Sequence, residues 1–304
     1  MRKVALGNSD IQVSRLAYGC MRISTLWDPK QVTADHREKG KKALFAALDC
    51  GYTLFDHADI YARGVCEEIF GEALRESAEL RSAAVIATKC GIRFAQTPRA
   101  IDVGRYDFSA PHILESCDLS LKRLGVERID LYQLHRPDLL MDPDEVMEAI
   151  TQLHRAGKIR TFGVSNFKPS TLALLGDLAD HIPFVVHQIE VSLVHREPLF
   201  DGTLDQCLAL GLTPLAWGPL GGGRMDNRGN ETLAKLMDEL AQEHSVTPEV
   251  IAIAWLLRHP SNSVPLIGST NPDHIRDATT ALDVDLSRED WYRLLVAAQG
   301  QAMP

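Results

Sequence analysis

With 304 residues and a formal net charge of −9, the chain is long enough for one α/β domain over residues 1–304. It offers no basic field for a polyanionic backbone, which excludes nucleic acid as a partner. Cys20, Cys50, Cys66, Cys90, Cys117 and Cys207 lie far apart with no Cys-x-x-Cys pair, which excludes a disulfide scaffold and reads as reduced core thiols. Residues 1–14 lack the apolar stretch of a signal peptide, and the longest uncharged run, 206–223, holds Pro214, Pro219 and five glycines. No membrane span is expected, and the protein is expected to be cytoplasmic.

In chain order, residues 2–13 read first as a β-hairpin, with Gly7-Asn8-Ser9-Asp10 as its turn. Eight short apolar runs follow, at 16–19, 53–56, 84–88, 129–133, 161–164, 184–189, 213–216 and 264–267, each trailed by a stretch with helical periodicity. The clearest helix lies between the fourth and fifth runs: Asp142 is its N-cap, Pro143 its first residue, Val146, Ile150 and Leu153 its buried face, and Gly157 its stop. The last barrel helix begins near Asn271. Residues 287–298 read as an additional C-terminal helix, with Ser287 as N-cap and Asp290 at N3. Eight doubly buried strands with crossover helices predict an α/β fold, a (β/α)8 TIM barrel with an N-terminal β-hairpin and an extra C-terminal helix.

In such a barrel the active site gathers at the C-terminal ends of the strands, and polar residues recur there. The first strand runs into Gly19-Cys20-Met21-Arg22, the second into Asp56-His57-Ala58-Asp59-Ile60-Tyr61, the third into Thr88-Lys89 and the fourth into Leu134-His135-Arg136. The fifth ends in Gly163-Val164-Ser165-Asn166-Phe167, the sixth in Gln188 and the seventh in Trp217-Gly218-Pro219-Leu220. Taken singly, Asp56 and Lys89 fit an ordinary ion pair, Tyr61 a packed aromatic and His135 a satisfied core histidine. His57 should point away from Asp56 if the pleat continues, a packing role. No Gly-x-Gly-x-x-Gly follows a strand, so a Rossmann site is not supported.

The order and spacing of these motifs, end to end, resemble the aldo-keto reductase superfamily. The resemblance implies reduction of a small carbonyl substrate, an aldehyde, ketone or quinone, by hydride transfer from NADP(H), with NAD(H) possible. It implies Tyr61 as general acid, Lys89 and Asp56 as its tuning pair, and His135 as the group orienting the carbonyl. A phenol is a weak acid unless a neighbouring cation favours its anion, and Lys89 is placed to supply one. The nicotinamide would stack on Trp217, where the family more often has Tyr, and bond to Ser165, Asn166 and Gln188, with Met21 and Arg22 near its ribose. Gly218, Pro219 and Leu220 would lead into a pyrophosphate cover of Gly222 and Arg224. The adenosine end departs from the family pattern: a Lys-Ser pair is replaced by Ile267-Gly268-Ser269-Thr270-Asn271, with His274 and Arg276 beyond. Ser269, Asn271 and the helix start are the candidate phosphate donors there, with His274 beside them.

Three other readings remain beside this one. Lys89 suits a class I aldolase or lyase working through a Schiff base. Asp56, His57, Asp59 and His135 suit a metal-dependent hydrolase. A barrel that binds NADP(H) without turnover suits a redox sensor. Monomer and homo-oligomer are equally compatible with the sequence.

Overall fold

The computed structural model describes residues 1–176, 182–223 and 230–303. In chain order its strands are β1 (Lys3–Ala5), β2 (Gln12–Ser14), β3 (Ala17–Gly19), β4 (Leu54–Asp56), β5 (Val85–Cys90), β6 (Ile92–Arg93), β7 (Arg105–Tyr106), β8 (Ile129–Leu134), β9 (Ile159–Ser165), β10 (Phe184–Glu190), β11 (Thr213–Trp217) and β12 (Val264–Ile267). Eight of them close into a parallel barrel, β3-β4-β5-β8-β9-β10-β11-β12 and back to β3. This is the expected (β/α)8 barrel, and each expected strand run overlaps an observed strand. β1 and β2 form the N-terminal hairpin. β6 and β7 add a small hairpin above β5 that periodicity did not reveal.

The hairpin closes the N-terminal end of the barrel. Leu6, Ile11 and Val13 pack with the inward side chains of Ala17, Leu54, Ala87, Leu131, Val186, Leu215, Val264 and Leu266, each buried Leu or Ile contributing about 1.5–3 kcal/mol. Gly7 makes the approach possible: its φ is +55°, and a Cβ there would lie 2.5 Å from the Val185 carbonyl oxygen. With this end plugged, the opposite mouth is the end of the barrel left for a ligand among the described residues.

The helix Pro143–Arg155 follows its sequence signals. Asp142 accepts a hydrogen bond from the Asp144 amide at 3.0 Å, Val146, Ile150 and Leu153 are buried, and Gly157 has φ +72°. At the C-terminal helix Arg288–Gln299, Ser287 Oγ accepts from the Asp290 amide (3.0 Å) and donates to Asp290 Oδ2 (2.6 Å). The interval between β11 and β12 differs from expectation in holding two helices, Glu231–His244 and Pro248–Arg258. The second is buried along nearly its whole length, as a barrel helix must be. The first lies outside it and packs on the C-terminal helix. The last barrel helix is capped by Asn271 as expected but runs only over Pro272–Asp277 before tightening to a 3₁₀ turn, Ala278–Leu282. Among the described residues no helix is long and apolar enough to cross a membrane.

Candidate active site

Strand alternation sorts the polar residues at the open mouth. In β5, Val85 and Ala87 join the barrel interior while Ile86 and Cys90 join the core under the helices, so Lys89 points inward and Thr88 outward. The same parity carries Asp56 inward above Leu54, Gln133 above Leu131 and Gln188 above Val186. These four form a buried polar layer over the apolar interior. His57 points the other way, its ring 4.6 Å from that of Phe70, the packing role expected for it.

Lys89 Nζ is the hub of this layer. It donates to Asp56 Oδ2 (2.8 Å), to the His57 carbonyl oxygen (2.6 Å) and to Tyr61 Oη (3.3 Å). Asp56 Oδ2 also accepts from Gln188 Nε2 at 3.0 Å, and its Oδ1 from Gln133 Nε2 at 3.4 Å. Tyr61 reaches this centre from the turn after β4, where Ala62 (φ 47°) and Arg63 (φ 54°) are both left-handed. Two consecutive non-glycine residues in that region are strained, so surrounding packing must enforce the turn. His135 meets the Tyr61 ring edge-on, 6.0 Å between centroids, and its buried Nδ1 has no partner among the described residues.

Burial and charge oppose each other here. Burial penalises the Lys89 ammonium, but Asp56 and Tyr61 outweigh it and its pKa moves upward, so it is a cation at neutral pH. A charged lysine holding a buried carboxylate is a poor Schiff-base nucleophile. Burial raises Tyr61 to about 12, against the lowering by Lys89. The expected cation effect is present but does not win, and Tyr61 holds its proton as a neutral donor. His135 is pushed well below its ordinary value by burial, then by Lys89 and Arg136, and is a neutral imidazole. With His57 turned outward, Asp56, His57, Asp59 and His135 do not converge as one ligand set. Among the described residues no group of three His, Cys, Asp or Glu side chains is placed to hold a metal.

Beside the hub lies a second cluster. Trp217 is half-buried, and its Nε1 donates to Asn166 Oδ1 (2.9 Å). Asn166, with φ 60°, donates through Nδ2 to Ser165 Oγ (2.6 Å). Gln188 joins the two clusters: its Nε2 donates to Asp56, its backbone carbonyl accepts from the Asn166 amide (2.9 Å), and its buried Oε1 has no partner among the described residues. Met21 and Arg22 are exposed on the 3₁₀ turn Cys20–Arg22, which packs against the turn carrying Tyr61. Gly218 (φ +63°) turns the chain after β11, with Pro219 buried and Leu220 half-buried. Among the described residues nothing lies within 4 Å of where a Cβ of Gly222 (φ +63°) would stand. Arg224 lies outside the described residues.

The residues after β12 form a separate group. Ile267 packs into the core under the helices, and Gly268 leads to Ser269, whose Oγ lies 3.5 Å from His274 Nδ1 and accepts from the Asn271 amide at 3.1 Å. Asn271 Oδ1 is occupied in capping its own helix at Asp273 N (3.0 Å), and Arg276 is paired with Asp273. Two residues at the mouth were not singled out from sequence. Gln133 has the inward parity of Leu131 and His135, a signal that was available. Arg136 is half-buried, its guanidinium 5.4 Å from the centre of the Trp217 ring, a contact between distant strands that no local pattern announces.

The sequence profile of the Aldo/keto reductase family matches residues 15–296. The chain is 43% identical over 264 residues to Oxidoreductase YdhF of Escherichia coli, covering 84% of this chain and 86% of that protein. It is 38% identical over 308 residues to a 6-dehydroglucose reductase of Novosphingobium aromaticivorans, covering 98% and 96%. Among solved structures, the glycerol dehydrogenase AKR11B4 of Gluconobacter oxydans superimposes with a TM-score of 0.86 at 25% identity, covering 99% of this chain and 97% of that one.

Proposed function

The chain belongs to the aldo/keto reductase family and is an NAD(P)H-dependent oxidoreductase; from that premise we propose that it reduces a small aldehyde, ketone or quinone to the alcohol, with NADPH as the favoured reductant, NADH the alternative, and Tyr61 as proton donor. The observation that carries this reading is the Lys89 ammonium, in contact with Asp56 Oδ2 at 2.8 Å and Tyr61 Oη at 3.3 Å. A neutral phenol pushed up to about 12 is a poor acid until negative charge develops on its oxygen. The ammonium is already in place to stabilise that charge, without reorganisation. Asp56 holds the ammonium and offsets the cost of burying it. The neutral His135 donates one N–H to the carbonyl oxygen and orients it for protonation by Tyr61 Oη.

The second cluster fits a nicotinamide. Gln188 Oε1, without a partner among the described residues, is an acceptor suited to a carboxamide N–H, and Asn166 fixes the flat indole of Trp217 by its edge. Bound there, the nicotinamide supplies the hydride. Gly222 leaves room for close backbone approach to a pyrophosphate, with Arg224 the candidate guanidinium, and Met21 and Arg22 are available to the ribose. Ser269 and His274 are the side-chain donors for the far phosphate, and the Nδ2 of Asn271 is a third. In this reading residues 1–304 act as one barrel domain, and the six free cysteines support the cytoplasm as its compartment. The names of the relatives, a 6-dehydroglucose reductase and a glycerol dehydrogenase, support a small polar carbonyl or alcohol as substrate. The test is NADPH oxidation across a panel of aldehydes, ketones and quinones with NADH in parallel. Tyr61→Phe should keep NADPH affinity and lose turnover, and unchanged turnover would remove Tyr61 from the mechanism.

A further inference from the structure

Resting on the carbonyl-reductase reading, we propose that Arg136, assisted by Arg63, is a specificity residue for substrates that carry a carboxylate or phosphate in addition to the carbonyl. Each arginine adjoins one of the two residues assigned to the carbonyl oxygen: Arg136 directly follows His135, and Arg63 lies two positions after Tyr61. Among the described residues neither meets a carboxylate. Among the described residues Arg136 makes no hydrogen bond or salt bridge, its guanidinium lying over the Trp217 ring at 5.4 Å, and Arg63 rests over the Phe94 ring at 4.2 Å. The nearest acidic residue in sequence, Asp138, is turned to backbone, accepting from the Phe108 and Leu140 amides at 2.9 Å each.

A guanidinium presents five N–H donors in a planar fork that matches an oxyanion, and an aromatic face satisfies its charge only in part. Arg136 is moreover half-buried, so donors withdrawn from bulk water are left unused. Arg63 stands on the strained turn that carries Tyr61, with its guanidinium held over the Phe94 ring. A chain of net charge −9 repels an anion at long range, and a local guanidinium such as that of Arg136 beside Trp217 is what such a substrate requires.

An oxyanion at Arg136 has two sources, the substrate or a phosphate of the cofactor, and the experiment separates them. Wild type and Arg136→Gln are titrated calorimetrically with benzoate and benzamide, with and without NADP⁺, and NADPH affinity is measured for both. Turnover is compared for 4-carboxybenzaldehyde and 4-formylbenzamide. The wild type should favour both carboxylates, and the variant should lose that preference by roughly 10- to 100-fold, carried by KM. Arg136→Lys should restore part of it, as a point charge without the fork. A wild type indifferent to carboxylate against amide overturns the proposal. So does a variant that keeps the preference while NADPH affinity falls, which would assign the guanidinium to the cofactor. If neither aldehyde is turned over but benzoate is still preferred and Arg136→Gln abolishes the preference, the anion site stands and the carbonyl-reductase reading falls.

Discussion

Replacing Lys89 by Met removes one charge and keeps much of the volume, and the structure says which consequences separate. Asp56 is left 2% exposed with only the Gln133 and Gln188 amides as partners. An unpaired buried carboxylate costs about 3–5 kcal/mol of stability. Tyr61 loses its one favourable charge, so burial pushes its pKa further up. Loss of a preorganised donor to the developing tyrosinate lowers the chemical step by about 10²–10³-fold. Asp56→Asn in the same chain removes the unpaired charge. The double variant should regain much of the stability, read by urea denaturation, and none of the rate, read by single-turnover NADPH oxidation. Stability and rate recovering together would refute the argument, because Lys89 would then act only by holding the barrel mouth in shape. Retention of the single-turnover rate within a few-fold in Lys89→Met would refute it more directly.

Trp217→Ala should weaken NADPH binding by about 1–2 kcal/mol through the lost stacking face, measured by calorimetry, with the urea midpoint little changed because the indole is only half-buried. Burial pushes His57 down to about 3 and His187 down to about 4. The unfolded chain therefore binds more protons than the folded one below about pH 6.5, and stability falls as pH drops from there toward 3. His57→Leu should flatten that slope in urea titrations across pH. Asp59 has the opposite sign: burial, then Glu67, raises it to about 7, so it opposes folding increasingly as pH rises from about 4 to 7. Asp59→Asn should gain thermal stability relative to wild type at pH 8 and lose that gain near pH 4. Gly7→Ala, far from the mouth, should cost at least about 2 kcal/mol, since its Cβ would meet the Val185 backbone at a left-handed φ.

What could be read from the sequence followed from periodicity. A period of two told inward from outward, which put Asp56 and Lys89 in the barrel and turned His57 away, and caps told where Pro143 and Arg288 begin their helices. The helix Glu231–His244 escaped because it has the same amphipathic pattern as a barrel helix. Only its packing on the C-terminal helix, rather than on the sheet, sets it apart. Asn271 was read as a phosphate donor and as the helix start; its side-chain oxygen serves the second role, and the first falls to its Nδ2. The direction of the Tyr61 shift was out of reach for a deeper reason. Sequence order places a cation near the phenol, yet the sign of the shift depends on how far 3.3 Å of separation from Lys89 compensates for a site almost closed to water. Burial wins, so the phenol stays protonated in the free enzyme and the cation matters only once the oxygen begins to carry charge. That difference between resting state and transition state is what makes the centre a candidate for catalysis rather than an ion pair with an aromatic neighbour.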